Sequence, residues 1–369
     1  MALCEHAPVA TLTGSSTIDA LAVDSKESTS PVADVEPARP TIEELRATEP
    51  LLDPKSNRFV LFPIKHDDIW QRYKVAEASI WHAAEIDMSL DVSDWKHKLN
   101  DDERHFITYV LAFFASSDMI VINNFLDRFI SEVQYPELKI IYTYFSFQES
   151  IHVETYALMI DTFVDPHEKE KVFNAIQTIP IIKKKADWAI KWLSGDDAFV
   201  ERLLGFVAVE GICFCSSFCA IYWLMKRNLM TESLGKSNEF IARDELMHAN
   251  LGILLYRNHI VNKLPESRVH AIIGDAVDLE MEFACESLPV RLIGMNCESM
   301  QQYIKYVADG ILRELGVSEL YHVTNPYDWM ENLQLESKSS FFETRVSQYI
   351  KAGVMDSEEE RKFSLDADF

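Results

Sequence analysis

Apolar residues return at steps of three and four along most of this chain, in long runs with few interruptions. From "NRFVLFPIKHDDIWQRYKVAEASIWHAAEIDMSLD" onward the period is helical. It predicts helices near residues 66–85, 102–130, 136–164, 168–193, 197–228, 235–262, 266–287 and 297–315. Punctuation is sparse, with Gly 11 and Pro 13 in 369 residues, which favours an all-α chain over a sandwich or barrel. "DDER" at 101–104 places acids at a helix start, and "TESLGKSNEF" at 231–240 reads as a connection between two helices. Residues 1–45 are rich in Ser, Thr, Ala, Pro and Asp and read as a disordered arm. Periodicity fails after "NPYDWM" at 325–330, so the expected division is a helical bundle over 46–330 and a flexible tail over 331–369.

The apolar stripes contain acids. Phe145, Glu149, His152, Tyr156 and Met159 share one helical face with Ile141, Tyr142 and Ile160. Asp118 aligns with Leu111, Phe114, Val121, Ile122 and Phe125, and Glu210 with Leu203, Phe206, Val207, Phe214 and Ile221. Glu245 and His248 align with Ile241, Gly252 and Leu255. Burying one unpaired ion costs several kcal/mol, and a domain has only about 5–15 kcal/mol of net stability. Four such carboxylates therefore need compensation. Arg243 is the single basic residue near any of them, and one cation cannot neutralise four acids. Two divalent metal ions can.

Spacing supports the metal. Asp118 is followed 31 residues later by E149-x-x-H152, and Glu210 is followed 35 residues later by E245-x-x-H248. One acid from each of two helices, with Glu-x-x-His from each of two others, is the pattern of dimetal carboxylate bundles. Oxygen donors with one imidazole per metal suit iron or manganese better than zinc. A third match, E319-L-Y-H322, has no partner acid and reads as coincidence. The bland alternative is a bundle of satisfied core polar residues.

Charge and cysteines narrow the class. A formal charge of −24 argues against a nucleic-acid partner. Of six cysteines, Cys213, Cys215 and Cys219 fall in one apolar run and read as buried thiols, while Cys4, Cys285 and Cys297 are scattered. The six do not form a disulfide framework, and with no leader-like pattern in residues 1–20 a reducing, intracellular setting fits. Residues 203–225 are apolar enough to span a bilayer, but they carry Glu210, and the run 106–122 carries Asp118. Central helices of a large bundle explain both, so no membrane partner is expected.

The motifs "ASIWHAAEIDMSLD", "LAFFASSDMIV", "ESIHVETY", "VEGICF", "ARDELMH", "LIGMNCE" and the terminal "FSLDADF" resemble one family. It is the small, radical-generating subunit of class I ribonucleotide reductase, eukaryotic type, and the likeness runs from about Phe59 to the C-terminus. The resemblance implies a ferritin-like helical bundle with additional helices. It also implies two iron ions in a diiron–oxo centre, one on Asp118, Glu149 and His152, the other on Glu210, Glu245 and His248. Tyr156 matches the tyrosine that stores an O2-generated radical, and the transfer route maps onto His152, Asp244 and Trp81. Asp244 precedes Glu245 by one residue and so points about 100° from the metal face, as an acceptor for an imidazole N–H should.

Tyr349 matches the residue that hands the radical to the large subunit, and Phe363–Phe369 the peptide that docks there. The implied assembly is a homodimer within a heterotetramer or larger complex, cytoplasmic, that reduces ribonucleoside diphosphates. Rival readings are a diiron desaturase or hydroxylase, which needs neither Tyr156 nor the tail, and a shorter iron-storage bundle. A metal-free partner subunit would have lost ligands, and all six remain.

Overall fold

A computed structural model describes residues 41–195, 197–287, 295–327 and 330. Among the described residues the regular structure is helical, with no strand. The principal helices are α1 (Ile42–Thr48), α2 (Asp67–Ala78), α3 (Asp101–Asn124), α4 (Pro136–Phe163) and α5 (Pro180–Ser194). They are followed by α6 (Phe199–Gly211), α7 (Cys215–Lys226), α8 (Lys236–Leu254), α9 (Glu266–Ser287) and α10 (Cys297–Leu315). Short helical turns join them. α3 packs on α4, α6 packs on α8, and α4 meets α8 across the centre. Those four helices carry the acids noted above.

Local chemistry sets the starts. Asn100 caps α3, accepting from the Glu103 N–H at 2.8 Å while Glu103 accepts from the Asn100 N–H at 2.9 Å. Pro136 opens α4, where a missing N–H costs nothing. Thr41 and Glu44 form a capping box for α1, so residues 42–45, expected within the disordered arm, are helical. The rest of that arm and the tail 331–369 lie outside the described residues.

Three expected segments differ from the structure. The run 168–193 is divided into Pro166–Phe173, Ala175–Thr178 and α5: Asn174 leaves helical backbone between the first two, and Pro180, which cannot donate to a preceding turn, starts the third. The run to 85 stops at Ala78, and Arg243 Nη2 takes the Ser79 carbonyl at 2.7 Å. The expected connection at 231–240 is a π turn, Thr231–Gly235, running straight into α8. Asp91 caps it from a distant loop, accepting the N–H groups of Ser233 at 2.8 Å and Leu234 at 2.9 Å.

The most consequential difference is a break inside the apolar run 197–228. Helix α6 ends at Gly211 and α7 starts at Cys215. The freed backbone groups are met by a buried ion pair: Lys185 donates to the Cys213 carbonyl at 2.7 Å, and Glu280 accepts the Ser216 N–H at 3.2 Å. Lys185 and Glu280 bind each other at 2.5 Å. Two segments, Asp101–Glu132 and Phe199–Lys226, are long and apolar enough to cross a membrane by composition, and 94% of the most apolar window of the second is buried inside the bundle.

Cysteine pairing is a correction. Cys285, at the end of α9, and Cys297, at the start of α10, form a disulfide with Cα atoms 5.0 Å apart. Their 12-residue separation hid the fact that antiparallel neighbours bring their ends together. One ground for expecting a reducing compartment is therefore removed. Cys213, Cys215 and Cys219 are buried and form no disulfide, as expected. Burial pushes the Cys213 thiol up to about 12, so it stays protonated and unreactive.

Candidate metal centre

Helical period puts each candidate side chain on an inward face, and the packing of four helices brings the six together. Asp118 comes from α3, Glu149 and His152 from α4, Glu210 from α6, and Glu245 and His248 from α8; all are buried. Donor atoms of Asp118, Glu149 and His152 lie within 4.8 Å of one another, as do those of Glu149, Glu210, Glu245 and His248. Glu149 therefore belongs to both groups.

The two glutamates of the Glu-x-x-His motifs face both histidines. His152 Nδ1 is 3.4 Å from Glu149 Oε2 and 3.1 Å from Glu245 Oε1. His248 Nδ1 is 3.0 Å from Glu149 Oε1 and 3.1 Å from Glu245 Oε2. Each carboxylate thus turns one oxygen to each imidazole. Glu210 reaches only His248, at 3.8 Å. Donors that share one octahedral ion with bonds of about 2.1 Å sit about 3 Å apart, which matches these separations.

The unsatisfied atoms test the fit. Asp118 Oδ2, both oxygens of Glu149 and of Glu210, Glu245 Oε2 and both histidine Nδ1 atoms are buried without a hydrogen-bond partner. Buried polar atoms are nearly always partnered, and these converge on one place. Among the described residues no lysine or arginine pairs with them, and Arg243 is turned away to Asp244 at 2.9 Å. Burial, and then the Glu149 and Glu245 charges, push the Asp118 carboxyl well above its usual range. Burial and Glu245 do the same to Glu210. Burial alone would depress both histidines, but the facing carboxylates outweigh it and raise them. The donor set fits two divalent ions.

Outward-facing nitrogens are held in a crossed arrangement. His152 Nε2 stands 3.3 Å from Asp244 Oδ2, the residue before Glu245. His248 Nε2 stands 3.4 Å from Gln148 Oε1, the residue before Glu149. Each motif's leading residue supports the other motif's histidine. Asp244 also accepts from Arg243 Nε at 3.1 Å, and it stays ionised, since Arg243 and His152 more than offset its burial.

Tyr156 lies one turn beyond His152 with no exposed surface, its ring stacked on Phe114 at 4.5 Å between centroids. Its hydroxyl donates to Asn238 Oδ1 at 2.8 Å, and Asn238 Nδ2 donates to the Leu234 carbonyl at 2.8 Å. Burial, and then the Asp118 charge, hold the phenol well above its ordinary pKa. Sequence reasoning missed Asn238, although it sits two turns before Glu245 on the same stripe. Trp81 is buried and stacks 6.1 Å from His152. Glu319 and His322 sit at the surface, Glu319 paired with Arg313 at 2.6 Å, away from the cluster. Tyr349 and Phe363–Phe369 lie outside the described residues.

The chain is similar to known proteins over most of its length. Residues 58–326 match the family model described as ribonucleotide reductase, small chain. The ribonucleoside-diphosphate reductase small chain of Trypanosoma brucei brucei is 54% identical over 323 residues, 87% of this chain and 95% of that protein. Subunit M2 of the Homo sapiens enzyme is 51% identical over 334 residues, 90% of this chain and 84% of that protein. Among solved structures, the ribonucleotide reductase Rnr4 homodimer of Saccharomyces cerevisiae superposes with TM-score 0.71 at 35% identity, covering 84% of this chain and 95% of that one. The R2 subunit from Clostridium botulinum shares the fold, with TM-score 0.66 at 22% identity over 73% of this chain and 88% of that one. A bundle that turns four carboxylates and two imidazoles inward, matched over so much of its length, belongs to the small-chain family of ribonucleotide reductase.

Proposed function

We propose that this small subunit of ribonucleoside-diphosphate reductase holds two iron ions between α3, α4, α6 and α8 and stores an oxidising equivalent on Tyr156. The observation that carries the reading is the pair Glu149 and Glu245, each offering one oxygen toward each histidine. Asp118 and His152 complete one position, Glu210 and His248 the other. Oxygen-rich donors with one imidazole each suit iron. When bound, the irons supply the reduction of O2 and the oxidising power that removes an electron from the phenol.

The chain's own residues do the rest. Phe114 and the surrounding core exclude water from Tyr156, which protects a neutral radical from reductants. Asn238 fixes the direction of the phenol O–H. His152, Asp244 and Trp81 form a continuous polar line leading away from the cluster, the indole N–H donating to Asp244 Oδ2 at 2.8 Å. Tyr349 and the peptide Phe363–Phe369 then carry the equivalent to, and dock on, a large subunit that reduces ribonucleoside diphosphates to deoxyribonucleotides. A homodimer within a heterotetramer or larger complex, acting in the cytoplasm, belongs to the same reading. Its support is the homodimeric yeast relative and the exposed Met119 and Leu126 on the outer side of α3 and its extension.

The test is metal analysis with EPR on full-length protein given Fe(II) and O2. About two irons per chain and a tyrosyl signal are expected, and Tyr156→Phe should abolish the signal while keeping the iron. A signal that survives that substitution rules out Tyr156 as its bearer.

A further inference from the structure

The crossed support of the two imidazoles is symmetric in position but not in charge. His152 faces the carboxylate of Asp244, whereas His248 faces the neutral amide of Gln148, which is 2% exposed. Both histidines turn Nδ1 toward the shared glutamates; with a metal ion on Nδ1, Nε2 would carry the proton and donate outward. Gln148 must then present its oxygen. Its own Nε2 is buried with no partner, so the amide is held there at a cost that only its contact with His248 offsets.

An outer carboxylate makes an imidazole a more basic ligand than an outer amide does, and such partners change metal affinity about 10–100-fold. We propose that Gln148 is the positioning residue of His248: it fixes the ring with Nδ1 inward and leaves the Glu210–His248 position the weaker of the two metal sites. The inference rests on the dimetal reading above and deepens it. The hydrogen bonds of Tyr156 and of Trp81 run to Asn238 and Asp244, whereas Gln148 faces His248, so its effect should fall on the His248 half of the cluster.

Mn(II) is the probe, titrated into metal-free full-length protein, with free ion counted by EPR. Wild type should bind two ions per chain in two resolved steps, and anomalous diffraction at one equivalent should place the ion beside Asp118 and His152. Gln148→Leu should weaken the second step about 10–100-fold and leave the first unchanged. Gln148→Glu, which keeps an acceptor and adds charge, should draw the two steps together. Asp244→Asn should move the first step instead. Equal movement of both steps in Gln148→Leu, or no movement in either variant, overturns the role of Gln148 while leaving the dimetal site standing. Failure of wild type to bind Mn(II) stoichiometrically overturns both.

Discussion

The indole N–H of Trp81 donates to Asp244 at 2.8 Å, although the two residues are 163 positions apart. The same carboxylate oxygen faces His152, and the other oxygen holds Arg243. One buried acid thus joins an aromatic ring, a candidate metal ligand and a cation. Trp81→Phe keeps most of the packing and removes only the donor. It is expected to form the metal centre and the tyrosyl signal normally and to lose nucleotide reduction with the large subunit, scored as deoxynucleotide formed. Full turnover in that variant would take Trp81 off the route.

Asp244→Ala is a harsher change. It leaves Arg243 buried without its counter-ion, and removing one partner of a buried pair costs about 3–5 kcal/mol. Urea unfolding of the metal-free protein should show a loss of that size, separating it from any effect on metal binding.

The helix break between α6 and α7 makes a second stability prediction. Lys185→Met strands Glu280 and the Cys213 carbonyl together, and a loss of about 3–5 kcal/mol is expected. The double variant Lys185→Met, Glu280→Leu should recover only part of it, because Cys213 O and Ser216 N remain without partners. Full recovery in thermal melts would mean that the backbone at the break does not need the pair.

Glu132 supplies a pH prediction. Burial would raise its carboxyl, but Arg202, helped by hydrogen bonds from Arg128 and Arg46, outweighs burial and holds it below the usual range. A depressed folded-state pKa stabilises above the unfolded value of about 4.3 and is lost as pH falls through the folded value. Wild type should therefore melt higher than Glu132→Gln at pH 7, with the gap closing below about pH 4. A gap independent of pH would deny the ion pair its share.

Removal of residues 363–369 should leave the tyrosyl signal intact and end reduction with the large subunit. Persistence of full turnover would refute the docking role of that peptide.

Much of the centre was legible because each candidate ligand sits on a helix, where a step of three or four decides which way a side chain faces. Asp118, Glu149 and Glu245 needed no knowledge of neighbours. What could not be read depends on partners far along the chain. The break at 212–214 is set by Lys185 and Glu280, and the start of α8 by Asp91. The Cys285–Cys297 bond depends on how two helices return on each other. Asn238 lies on the same stripe as Glu245, but an uncharged amide demands no counter-ion, so its role shows only in its contact with Tyr156.

The crossed support of the histidines also bears on assembly. Gln148 steadies the ring borne by α8, and Asp244 steadies the ring borne by α4, so neither helix can complete its own half of the centre. If one rod slid by a single residue against the other, both rings would lose their anchors at once. Ion capture would thereby gauge alignment, and a chain folded out of step would go unloaded.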